Sequence, residues 1–110
     1  MGLIRNDAIV VTSWKTEHVR IAYDKAIEIG LTCTSIASHP VNGGGSFLIA
    51  PDGSKEGWSD SDEGDKQRAA WKLWMYNQID LFVTWVHISY PGDHDMKTYI
   101  VESSAIDDEG

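Results

Sequence analysis

Cysteine is nearly absent from this 110-residue chain: Cys33 stands alone, which excludes an internal disulfide and any multi-cysteine zinc site. Cations are scarce as well. Nine Lys and Arg face 17 Asp and Glu, for a net charge of −8, and no run of basic residues occurs. A phosphate backbone is gripped by clustered Lys and Arg that release its counterions, so direct nucleic-acid binding is not expected. Long apolar runs are missing too: nothing approaches the ~20 residues of a membrane span, and no membrane association is expected. The opening MGLIRNDAIVVTSW carries Arg5 and Asp7 beside a short apolar run and reads as neither a signal peptide nor an anchor. Asn6 stands where a myristoylation signal prefers Ser or Thr. The setting expected from these absences is a reducing cytoplasm.

Tryptophan is what the chain has in excess, with five residues. Rings of that size fill the core of a small domain or furnish an adhesive surface. A chain of this length folds around one core, so residues 1–104 are read as a single domain. Residues 105–110, AIDDEG, are read as an acidic, disordered tail.

Along the chain, Ala8 to Thr12 (AIVVT) is a short β-branched run and a buried-strand candidate. Ser13 or Thr16 can cap the helix that follows. Val19, Ala22, Tyr23, Ala26 and Ile29 recur at three and four residues, the spacing of one buried helical stripe, and Gly30 is its natural stop. Leu31 to Ser38 (LTCTSIAS) reads as a second strand. HPVNGGG then reads as a flexible hairpin loop, Ser46 to Ala50 as a third strand, and Pro51-Asp52-Gly53 as its end. A second helix is expected from Ser61 or Asp62 to about Asn77, with Ala70, Trp71, Leu73, Trp74, Met75 and Gln78 on its apolar face. Leu81 to Tyr90 (LFVTWVHISY) and Lys97 to Ser103 (KTYIVES) read as two strands joined at PGDHD. The order β-α-β-β-α-β-β predicts an α+β two-layer sandwich, ferredoxin-like in its first six elements, with a mainly antiparallel sheet and two helices on one face.

Residues that carry chemistry are present but not in chemical patterns. With Asp60 at the start of a calcium loop, Asp62 takes the third position, but Gly64 falls on the fifth and Trp71 on the twelfth. The acidic patch Asp60, Asp62, Glu63 and Asp65 therefore reads as a helix start, where acids meet the positive end of the dipole. His18, His39, His87 and His94 form no HxxxH or HExxH pair. Cys33 alternates along an apolar strand as a small buried side chain, and Ser46 lacks the G-x-S-x-G elbow. The NGGG loop has neither the P-loop's Gly-Lys-Ser/Thr nor the Rossmann spacing. No catalytic, cofactor or metal site is expected, and the chain reads as a non-enzyme.

An interface is the sharper expectation. If Phe82, Val86, Ile88 and Tyr90 face the helices, alternation turns Val83, Trp85, His87 and Ser89 the other way. Unless the glycine loop, the Trp58 segment or the tail covers them, they form an exposed patch for a protein partner or a homodimer.

The string SFLIAPDGSKEGWSDSDEGDKQRAAWKLW, with Pro40-Val41-Asn42-Gly43 and the Trp14 to Gly30 helix before it, resembles a segment of small uncharacterised proteins of tailed bacteriophages and prophages. That group lends no functional residues. It implies a phage- or prophage-derived accessory protein acting in a bacterial host cell, with a host or phage protein as partner. A second expectation is a nucleic-acid mimic, which needs the acidic patch to join Asp24, Glu28, Asp93 and Asp95 in one stripe. A third is a small metal-dependent enzyme, which needs two of the four histidines to converge with an acid.

Overall fold

In the computed structural model, which describes residues 5–41, 43–51, 59–91 and 97–104, the elements follow the expected order. They are β1 (Arg5–Ser13), α1 (Thr16–Ile29), β2 (Ala37–Ser38), β3 (Gly45–Ile49), α2 (Ser59–Tyr76), β4 (Thr84–Pro91) and β5 (Tyr99–Ser103). The strands form one 5-stranded sheet in the order β2-β3-β1-β4-β5. Every pairing in it is antiparallel. β1-α1-β2 straddles β3, and β3-α2-β4 straddles β1, so the longest strand runs through the centre. The molecule is an α+β two-layer sandwich.

Alternation in β1 sets the layers. Ile9, Val11 and Ser13 are buried, and the cross-strand register lays Val11 against Phe47 and Trp85, and Ile9 against Ile49 and His87. These side chains form the helix-facing side of the sheet. α1 supplies Val19, Ala22 and Ala26 to the same core, with Tyr23 and Ile29 partly buried beside them. Gly30 ends the helix at φ 111°, a left-handed conformation that lets its N–H reach the carbonyls of Ala26 and Ile27. No side chain caps the start of α1; the Ser13 hydroxyl instead accepts the N–H of Lys15.

α2 buries a stripe of Gly64, Arg68, Trp71 and Met75 at spacings of four and three, with Trp74 partly buried. Leu73, expected on the apolar face, is 64% exposed, and Ala70 is exposed too. Trp71 is the largest fully buried side chain among the described residues; its indole N–H donates to the Ala22 carbonyl at 3.1 Å and its ring meets Trp85 edge-on at 5.7 Å. One residue thus ties both helices to the sheet.

The second strand is much shorter than Leu31 to Ser38. Before Ala37 the chain touches β3 through an isolated bridge, Cys33 to Ile49, and through Thr34. The Thr34 hydroxyl accepts the Leu48 N–H at 2.9 Å where a backbone carbonyl would continue the ladder, so pairing breaks there. The turns expected at Asp52-Gly53 and in PGDHD, the Trp58 segment and the disordered tail expected at residues 105–110 lie outside the described residues.

Candidate functional site

The faces of β4 are the reverse of the sequence expectation. Trp85, His87 and Ser89 are 2%, 6% and 2% exposed and point at the helices, while Val83 packs partly buried against the same core. Val86, Ile88 and Tyr90 lie on the far side. The patch Val83, Trp85, His87 and Ser89 is therefore interior and not an interface. Two forces fix this orientation. Trp85 gains edge-on contacts with Trp71 and Tyr76, and α2 brings cations that satisfy the polar residues beside it.

Those cations belong to a polar layer between α2 and the β1, β4 and β5 strands. Arg68 contacts Asp65 at 2.6 Å and lies 4.0 Å from Asp7. Asp7 accepts from His87 Nε2 at 3.1 Å. The Lys72 ammonium donates to His87 Nδ1 at 2.8 Å, which leaves the ring proton of neutral His87 on Nε2, facing Asp7. Lys72 also pairs with Glu102 at 2.8 Å, and Glu102 accepts the Tyr76 hydroxyl at 2.8 Å. Among the described residues no buried side-chain nitrogen or oxygen lacks a partner. The layer orients α2 on the sheet by matched charges as well as by packing.

Hydrogen bonds from Lys72 and then Tyr76 hold the Glu102 carboxyl below its ordinary value, and burial opposes them. A carboxyl lowered in the folded state stabilises above its unfolded value, and that contribution fades as pH falls through the folded one. Glu102→Gln should therefore shrink the loss of stability between about pH 7 and about pH 3 relative to the parent chain, read from urea midpoints at each pH. An unchanged loss would remove Glu102 from the acid response.

Among the described residues the remaining candidates form no ligand set. Asp62, Glu63 and Asp65 lie exposed in the first turns of α2, which begins at Ser59, two or three residues before the expected Ser61 or Asp62; the Asp60 side chain lies outside the described residues. Asp24 and Glu28 are exposed on α1, and Asp93, Asp95 and His94 fall outside the described residues. His18 Nδ1 accepts the Phe82 N–H at 2.9 Å, and His39 Nε2 bonds the Ser46 hydroxyl at 2.8 Å. Among the described residues no group of three His, Cys, Asp or Glu is placed to hold a metal ion, and no helix is long and apolar enough to cross a membrane. Burial pushes the Cys33 thiol up to about 11, so at neutral pH it stays protonated and a poor nucleophile.

The reversal in β4 turns a different set of side chains away from the helices. Away from the helices, Val10 pairs with Leu48 on one side and Val86 on the other, Ala8 with Ile88, Ile88 with Ile100, and Asn6 with Tyr90. Thr12, between Ser46 and Thr84, closes the last row. None of these residues is charged. Val10 is 37% exposed and Ile100 66%, Leu48, Val86, Ile88 and Tyr90 are half-buried, and Ala8 is buried. Nothing in the sequence marks this face, because the apolar Val86 and Ile88 read as core residues.

No protein-family profile, curated protein or solved structure matches this chain.

Proposed function

We propose that this chain is a non-enzymatic interaction protein that docks through the uncharged far face of its sheet, and that a second copy of the chain is the occupant. The observation that carries this reading is the absence of charge from cross-strand rows over four adjacent strands. The chain as a whole is 24% charged. Depletion of charge distinguishes the centre of protein interfaces from the remaining surface.

Self-association follows from charge and size. Copies bearing −8 each repel across every acidic surface and meet at least cost where acids are missing. Four strands at ~4.8 Å spacing and seven residues at ~3.4 Å project on the order of 450 Å². Side-chain relief raises this toward the roughly 600–800 Å² per partner of the smaller specific interfaces. Two such faces can pack as aligned sheets, about 10 Å apart. The phage-like segment supports placing the assembly among small accessory proteins of an infected or lysogenic bacterial cell.

Sedimentation velocity tests the reading. The parent chain should shift from monomer to dimer as concentration rises, and more readily at high salt, because screening removes repulsion between the acidic bodies. Val10→Asp should stay monomeric at every concentration with an unchanged circular-dichroism spectrum. A parent chain monomeric into the hundreds of micromolar range, roughly −5 kcal/mol of association, would remove the second copy as occupant. A Val10→Asp chain that dimerises like the parent would remove this face as the interface.

A further inference from the structure

At the end of the sheet where β1 meets α1 and the 81–83 segment enters β4, Thr12, Trp14, His39, Leu81, Phe82 and Thr84 line an open cleft of about 480 Å³. That volume suits a small molecule. No charged side chain is found among the described residues that line it. Thr12 and Thr84 also end the uncharged rows of the sheet, but the inference below rests on the rings and the cleft and stands whether or not a second copy docks there.

Two rings dominate the cleft. Trp14 and Phe82 are 59% and 54% exposed, with centroids 6.0 Å apart. Exposed rings on mobile backbone lose entropy when a ligand orders them, but these are held. The Ser13 hydroxyl donates to the Phe82 carbonyl, the Phe82 N–H donates to His18 Nδ1 at 2.9 Å, and the His18 ring stacks on Phe82 at 5.5 Å. The Lys15 ammonium sits over both rings, 5.0 Å from the Trp14 centroid and 5.3 Å from that of Phe82, and fixes the pair further. A platform built in advance spares a ligand the ordering cost.

The same cleft carries a chain of uncharged polar groups. Thr12 Oγ1 and Ser46 Oγ are 2.9 Å apart, and Ser46 Oγ is 2.8 Å from His39 Nε2. Hydroxyls turn to donate or accept, so such a chain can meet ligand hydroxyls in either sense. Two exposed rings tilted 33° to each other, with neutral, two-way hydrogen-bonding groups in the same cleft, suit a ring with an apolar face and a hydroxylated edge.

We infer that this cleft binds a neutral hydroxylated ring, the chemistry shared by saccharides and nucleosides, laid on Trp14 and Phe82 with its hydroxyls toward Thr12 and His39. The probes are N-acetylglucosamine and, separately, adenosine, titrated into the full ¹⁵N-labelled chain to about 20 mM, because ligands of this size bind at the millimolar level. Saturable shifts of the Thr12, His39 and Thr84 amides are expected with at least one probe, and which one responds identifies the source. Trp14→Ala should weaken that response about tenfold or more, the effect of removing one stacking ring, with the amides of α2 unmoved. Thr12→Val should weaken it less and in the same direction. No saturable shift with either probe, or an undiminished response in Trp14→Ala, would overturn the inference.

Discussion

Trp71→Ala is expected to cost about 3–5 kcal/mol, a large share of the roughly 5–15 kcal/mol of an ordinary domain. The indole is fully buried, meets Trp85 edge-on, and bonds the Ala22 carbonyl from the opposite helix, so truncation opens a cavity bordered by both helices and the sheet. Surrounding side chains cannot close it without moving an entire element, which places this site at the upper end of large-to-small costs. Trp71→Phe keeps much of the volume and loses the N–H bond, for an expected cost of about 1–2 kcal/mol. Urea unfolding followed by circular dichroism measures both. All chains should be compared at one concentration, because self-association adds to apparent stability. A Trp71→Ala midpoint equal to the parent's would show that the indole does not join the layers.

Gly44→Ala is expected to cost about 2–3 kcal/mol, from overpacking rather than from backbone conformation. A Cβ at Gly44 would stand 2.3 Å from the Ser13 carbonyl oxygen and 2.7 Å from Trp14 Cα, backbone atoms that cannot rotate aside. Its carbonyl meanwhile accepts the His39 N–H at 2.8 Å, so displacement also strains the approach to β3. Gly43→Ala makes the internal comparison. Gly43 has φ 76° with nothing within 4 Å of the added carbon, so only the left-handed conformation opposes it, at about 1–2 kcal/mol. Equal, small effects at both positions would mean that the loop does not press on β1. The close approach of Gly44 is a packing role for a sequence whose glycines had suggested a flexible hairpin.

Periodicity identified α1 from sequence because a single feature, the Val19 to Ile29 stripe stopped by Gly30, speaks to one structure only. The sheet was less legible. Alternation tells which residues of a strand share a side; it does not tell which side is inside. In LFVTWVHISY the more apolar set, Phe82, Val86, Ile88 and Tyr90, was given to the core, yet Trp85, His87 and Ser89 occupy it. The missing information lay on another element. Arg68 and Lys72 flank Trp71 on α2, and cations there make room for Asp7, His87 and Glu102 beneath the helix. A buried polar layer spread over β1, α2, β4 and β5 has no signature at short range. Leu31 to Ser38 failed for a local reason instead: β-branched composition predicts a strand, but the Thr34 side chain takes a bond that a longer ladder needs.

The cleft beside Trp14 was equally hidden, since its residues come from β1, the approach to β3 and the approach to β4. Trp14 and Phe82 are 68 positions apart in sequence (82 − 14) and meet only because β1 and β4 pair antiparallel through Thr12 and Thr84. The same pairing assembles the uncharged face, so the two candidate surfaces share one topological cause while differing in what they recognise.

An isotope-filtered NOE spectrum, recorded on a mixture of ¹³C-labelled and unlabelled chains, tests the central claim most directly because it detects contacts between copies alone. Intermolecular cross-peaks among the methyl groups of Val10, Leu48, Val86, Ile88 and Ile100, with none from Val19 or Leu31 in the core, are the predicted result. Cross-peaks confined to the outer surface of α1 or α2, or none in a sample that sediments as a dimer with that face accessible to solvent, would contradict it.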